Sequence, residues 1–521
     1  MAGEWRTTTV GAFTPFSYGK GLPEATRNPT GSVSVFGSNG VVGRHDRSLT
    51  EGPTIVIGRK GTVGAVHYCP DPCWPIDTTF FISGTDSALV RFRYYLLKGL
   101  ALEDMNADSA VPGLNRDAAH ARVITIPSAE AEQRAIAHIL GTLDDKIELN
   151  RRMNETLEEI ARAIFKSWFV DFDPVRAKIE GRWRRGESLP GLPAHLYDLF
   201  PDRFRDSELG EIPEGWEVRA LAGIGRFLNG LALQKHPPQG DRSLPVIKIA
   251  QLRSGDTRGA DRASPDLDPQ YVVDDGDVLF SWSGSLDCVL WTGGKGALNQ
   301  HLFKVTSTEF RTWFLYLWIT QHLDDFRHIA AGKATTMGHI QRHHLSDAKV
   351  VVPARDTLKA ADDALSPLVE RIITTRTESR TLAALRDALL PKLISGELRL
   401  PAALRDTAAQ AGVKDAGRFG ERGDVGLTRT DTDGHRSARG DADGHGQTDR
   451  NKSAPSVSVG VGQCRTAPSS GELVANAALS LLNITCYFLD RQLGTQAAVF
   501  EKEGGFTERL YKQRQSRRRH G

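Results

Sequence analysis

Two stretches of the chain share one order of apolar, small and polar positions. Residues 55–68 read IVIGRKGTVGAVHY, and residues 278–291 read VLFSWSGSLDCVLW. In each, an apolar run leads to a glycine (Gly61, Gly284), a second apolar stretch follows, and an aromatic closes it (Tyr68, Trp291). β-branched and aromatic residues broken by glycine predict strand, turn, strand. The turn residues differ most in chemistry, GRKG against SWSG.

The echo runs through the whole chain. Trp5 and Phe16 match Trp216 and Phe227, Phe80 matches Phe303, SAVPGLNR (109–116) matches TTMGHIQR (335–342), and TIP (125–127) matches VVP (351–353). The spacing lengthens from 211 to 223 between Phe16 and Phe80 and to 226 by Ser109, so the second copy carries an insertion of about a dozen residues within 231–275. So long a repeat is a duplicated domain, since solenoid units are about 20–50 residues.

After each strand-rich part the period changes. Leu140, Leu143, Ile147, Asn150, Asn154, Leu157, Ala161, Ile164 and Trp168 alternate spacings of three and four, a heptad seam. Ser128 is the expected N-cap. The second copy offers Leu365, Leu368, Ile372, Thr375, Ser379 and Leu382, after which Arg386 interrupts the seam. Two seams predict an antiparallel pair, with Asn154 opposite Ser379 in a polar layer. The seam from Leu140 to Trp168 predicts a rod of about 43 Å.

Between the copies, 171–212 is too rich in aromatics for a disordered linker and is expected to run ordered along the helices. From about residue 401 the composition turns to Gly, Asp, Arg and Ser, which predicts disorder over 401–470 and a helical tail over 471–521. Two DxDGH units there (431–435, 441–445) lack the glutamate that completes a calcium loop.

Composition limits the function classes. The 521 residues are 40% hydrophobic and 25% charged, with net charge +2. A nucleic-acid surface must therefore be a local patch. No apolar run reaches membrane-spanning length. Five scattered cysteines argue for a reducing, cytoplasmic compartment without a disulfide framework.

Three segments carry a resemblance: AEQRAIAHILGTLDDKIELNRRMNETLEEIARAIFKSWFVDFDPVRAK, LFPDRFRDSELGEIPEGWEV and ALRDALLPKLISGELRL. They resemble the specificity subunit of type I restriction-modification systems, over about residues 4–400. The resemblance implies an α+β chain. Two mixed α/β target recognition domains (1–128 and 213–353) alternate with two long helices (129–170 and 354–400) that pair as an antiparallel coiled coil. It further implies a non-catalytic subunit that reads a split, asymmetric target in double-stranded DNA. Such a subunit docks methyltransferase and endonuclease-translocase subunits and needs no cofactor.

Candidate DNA contacts sit in or beside the echoed loops. In the first copy they are Lys20, Arg44, His45, Arg47, Arg59 and Lys60. In the second they are Trp282, Ser283, Ser285, Lys295, Asn299, Gln300 and His301, with Lys333, Thr335, Thr336 and His339 in the second echoed loop. Arginine bridges guanine bidentately, and Asn and Gln suit adenine edges. The alternative for each is a solvated surface residue, and Asn299 has a structural alternative because its counterpart is Ile76.

Enzyme motifs are weak. DPCW (71–74) lacks the second proline of an amino-methyltransferase motif, GIGRFLNG (223–230) lacks a nucleotide-binding context, and no P-loop occurs. His67, Cys69 and Cys73 are possible metal ligands without a second cysteine pair, so a turn with reduced thiols is preferred. A self-contained modification enzyme of a related restriction type remains the alternative function.

Overall fold

The computed structural model describes residues 4–105, 113–238, 240, 242–332 and 338–401. The expected linker and tail beyond 401 lie outside the described residues, as do Lys333, Thr335 and Thr336.

The first half is closed at its base by Trp5–Thr9 pairing antiparallel with Val123–Pro127. Above this lies an antiparallel sheet in the order Ser17–Tyr18, Thr79–Ser83, Thr54–Gly58, Val66–Cys69. The strand Thr54–Gly58 is buried throughout, which is why it reads as an unbroken apolar run and not as an alternating one. A three-stranded sheet, Gly40–His45, Val33–Gly37 and Trp74–Pro75, packs beside it.

The second half repeats the plan. Glu217–Ala220 pairs with Lys349–Val352, and a sheet runs Arg226–Asn229, Leu302–Thr306, Val278–Ser281, Cys288–Leu290. The registers agree residue by residue. Tyr18 faces Phe80 as Asn229 faces Phe303, and Ile57 faces Phe80 as Phe280 faces Phe303. Val35 pairs in parallel with Trp74 as Val246 does with Ala297. The inserted residues fall between Leu244–Ile247 and Val278–Ser281 and form a short helix, Ile249–Ser254, and extra edge strands.

Each half ends in a long helix, Glu130–Phe165 and Arg355–Ser395. The first is entered without a side-chain cap, at Ala129. Ser128 does not serve as N-cap because its N–H extends the basal strand pair by donating to the Glu4 carbonyl. A π-helical turn, Lys166–Val170, extends this helix, and Gly396 ends the second in the left-handed region at φ 76°.

The helices pair antiparallel. Asp144 meets Arg386 at 2.6 Å, and Glu158 meets Arg376. Between them lies a buried polar layer. Asn150 Nδ2 donates to Ser379 Oγ at 3.2 Å and to the Thr375 carbonyl at 3.3 Å, and Thr375 Oγ1 donates to Asn154 Oδ1 at 2.6 Å. The register is thus one turn away from the expected one: Asn150, not Asn154, faces Ser379. Arg386, which interrupts the seam, crosses to Asp144 and so closes that gap with an ion pair.

The two halves hold opposite ends of this pair. Tyr95 Oη donates to Asp144 and Arg91 to Asp145 on the first helix, and Trp5 packs on Gly396 after the second. At the other end Phe165 packs on Trp318, Phe169 on Trp216 and Trp313, and Trp313 Nε1 donates to Asp362. Within 171–212, Trp183, Tyr197 and Phe200 pack together, and Phe200 meets Trp168 and Trp216.

Candidate nucleic-acid interface

The turn that differs between the copies is held the same way in both. Gly61 and Gly284 both take left-handed backbone, at φ 81° and 66°. After each strand, residue 60 bridges Gly113 and residue 283 bridges His339. The repeated loops are thus docked on equivalent neighbours, and the turn side chains project from matched positions.

In the first half, the Arg59 guanidinium lies over the rings of Tyr18 (5.4 Å) and Phe80 (5.9 Å). Arg116, at the start of helix Arg116–Ala121, covers Tyr18 at 5.0 Å. Tyr18 is 51% exposed and so presents an aromatic edge between two cations. Lys20 lies alongside: its carbonyl accepts from Trp74 Nε1, and the Trp74 ring packs edge-on against His45. Arg44 and Arg47 are exposed, and Arg44 donates to the Ser32 carbonyl.

Arg116 is paired with Asp117 at 3.5 Å. Among the described residues no carboxylate forms an ion pair with Lys20, Arg44, Arg47, Arg59 or Lys60, whereas Arg91, Arg134, Arg376, Arg380 and Arg386 are all paired. Cations without a carboxylate partner among the described residues give these loops local positive charge on a nearly neutral chain.

The second half uses the same places with other chemistry. Trp282 takes the position of Arg59. Its ring lies 6.1 Å from Phe303, and its indole N–H donates to Asn229 Oδ1 at 2.9 Å and to the Gln300 carbonyl. Arg342 covers Phe303 at 5.8 Å. Ser283 is buried and shares a hydrogen bond with His301 Nδ1. Asn299 is 3% exposed, and its Oδ1 accepts from the His301 N–H. Both side chains therefore build the loop and offer little to an outside ligand. Asn299 matches Ile76 in its structural place, since Gly230 packs on the Asn299 carbonyl as Gly19 does on that of Ile76. Ser285 and Lys295 are exposed, Lys295 with Asp274 at 3.6 Å. Gln300, His301 and His339 are half-buried around Trp282.

Three members of these clusters escape a reading of the sequence. Tyr18 lies in a two-residue strand, and Arg116 and Arg342 look like ordinary helix residues. Their signal was the alignment of the copies, in which Arg116 and Arg342 occupy one column. The possible metal ligands separate: the His67 ring contacts the Ser38 carbonyl, while Cys69 and Cys73 are buried in an apolar cluster.

Duplicated sheets, an antiparallel helical rod and two matched surface clusters define an internally repeated two-reader scaffold. The family described as type I restriction modification DNA specificity domain matches residues 3–159 and 213–382. The chain belongs to that family. It is 28% identical over 335 residues to the type I restriction enzyme HindI specificity subunit of Haemophilus influenzae, covering 55% of this chain and 71% of that protein. It is 26% identical over 368 residues to the MjaIX specificity subunit of Methanocaldococcus jannaschii, covering 67% and 78%. A crystal structure of an S subunit from M. genitalium covers 75% of this chain and 96% of its own, with 15% identity and a TM-score of 0.47.

Proposed function

We propose that this chain is the specificity subunit of a type I restriction-modification complex. It reads a bipartite, asymmetric target in double-stranded DNA and docks methyltransferase and endonuclease-translocase subunits, which carry the catalysis. The observation that carries the reading is the pairing of two matched clusters with opposite ends of one rod. The first cluster is rich in unpaired cations suited to phosphate and guanine. One half-target per cluster follows, with unread bases between. The proposed contacts are Lys20, Arg44, His45, Arg47, Arg59 and Lys60 in the first half. In the second they are Trp282, Ser285, Lys295, Gln300, His301 and His339, together with Lys333, Thr335 and Thr336, which lie outside the described residues.

The test separates this subunit from a self-contained enzyme. Purified chain with S-adenosylmethionine should leave DNA unmodified, and addition of the methyltransferase subunit should produce methylation at one split sequence. Robust methyl transfer by the chain alone would place catalysis here and overturn the reading.

A further inference from the structure

The two clusters correspond by strand register, which allows their parts to be sorted. Tyr18, Arg59, Phe80 and Arg116 of the first half correspond to Asn229, Trp282, Phe303 and Arg342 of the second, by strand register and by the matched loop bridges. Two positions are kept: a phenylalanine, 1% exposed at 80 and 5% at 303, and an arginine, which lies over Tyr18 in the first half and over Phe303 in the second. Two positions change: Tyr18 to Asn229, and Arg59 to Trp282. An asymmetric target has different bases in its halves but the same sugar-phosphate backbone. What the copies share therefore suits what the halves share, and what differs suits what differs.

We infer that Arg116 and Arg342 are equivalent backbone-positioning residues, and that the pairs Tyr18/Arg59 and Asn229/Trp282 determine the base read at equivalent places in the two half-targets. The inference rests on the proposed reading of the chain as a DNA specificity subunit. Arg59 is suited to its part. Its guanidinium rests on two rings, has no carboxylate partner among the described residues, and presents a planar fork that fits guanine O6 and N7. Trp282 cannot make that contact. Its one N–H is already committed to Asn229 and the Gln300 carbonyl, so it offers an apolar ring face, which suits a thymine methyl. The first half-target should hold a guanine where the second holds a thymine.

The experiment uses the full-length chain assembled with its methyltransferase partner and a pool of random duplexes, with bound sequences read out at several salt concentrations. Arg59→Ala should relax one guanine in the first half only, by roughly 5- to 150-fold in preference. Arg59→Lys keeps the charge and loses the fork, so it should retain affinity and still lose that preference. Arg116→Ala and Arg342→Ala should each weaken binding to all sequences alike and flatten the salt slope by about 1, leaving the consensus unchanged. The double variant Asn229→Tyr with Trp282→Arg should move one position of the second half toward guanine. If that half-buried exchange fails to fold, the reciprocal Arg59→Trp should move the matching position of the first half away from guanine. A consensus altered by Arg116→Ala, a uniform loss from Arg59→Ala, or folded exchange variants with the original consensus would overturn the division of labour. If the unaltered complex selects no split sequence, the reading as a specificity subunit fails first, which is a distinguishable result.

Discussion

At the scale of single residues, His120 shows how the first cluster is held. Its Nε2 accepts the Phe16 N–H at 2.9 Å, and its ring packs edge-on against Phe16, one residue from the strand that carries Tyr18. Accepting that bond requires the neutral ring. Burial first, and then the nearby Arg116 charge, hold its pKa below the ordinary 6.5, with Asp117 opposing. A histidine held below its unfolded value resists a proton that the unfolded chain accepts. The stabilisation is therefore complete above about 6.5 and declines as the pH falls below it, levelling off once the folded ring also protonates. Protection factors of residues 9–18, each referred to the intrinsic exchange rate at that pH, should fall between pH 7 and 5. His120→Gln, which can still accept the bond but does not titrate, should remove that pH dependence. A variant with the same acid sensitivity would assign it to other groups.

At the scale of elements, the polar layer sets how the two long helices meet. Asn150 and Thr375 are 0% exposed and Asn154 6%, so their partners decide whether the layer is favourable. Thr375→Val keeps the shape but leaves Asn154 Oδ1 buried without its donor. The expected cost is about 1–3 kcal/mol in urea unfolding. Adding Asn154→Leu removes the stranded acceptor, so the double variant should be more stable than Thr375→Val alone. A Thr375→Val chain with unchanged stability would show that this bond does not close the layer. The heptad pattern was legible because it needs only local spacing. The register was not: a shift of one turn leaves apolar facing apolar nearly everywhere, and only hydrogen-bond geometry prefers Asn150 opposite Ser379.

At the scale of the molecule, the helices separate two readers. The first half is tied to the rod at Asp144 and the second at Phe165. Those positions are about 32 Å apart along the first helix, close to the 34–36 Å of one DNA turn. Deleting one heptad from both helices should draw the readers together by about 10 Å, equal to about three base pairs. Methylome mapping should then show the same two blocks with a shorter spacer. An active variant with the original spacer would mean that the helices do not set the distance.

The sequence by itself determined the duplication, the strand-and-turn pattern of each copy, the two long helices and their antiparallel pairing. All of these follow from periodicity and from comparing the chain with itself. It also marked the cationic loops of the first half, because an arginine in a glycine turn is visible as text. Only the tertiary structure decided how those residues are placed. Asn299 and Ser283 look like polar readers in the sequence and turn out to be buried loop supports. Tyr18, Arg116 and Arg342 look ordinary and stand in the matched clusters. Exposure and ring stacking depend on which strands lie side by side, and that pairing joins residues such as Tyr18 and Phe80 that no local pattern connects.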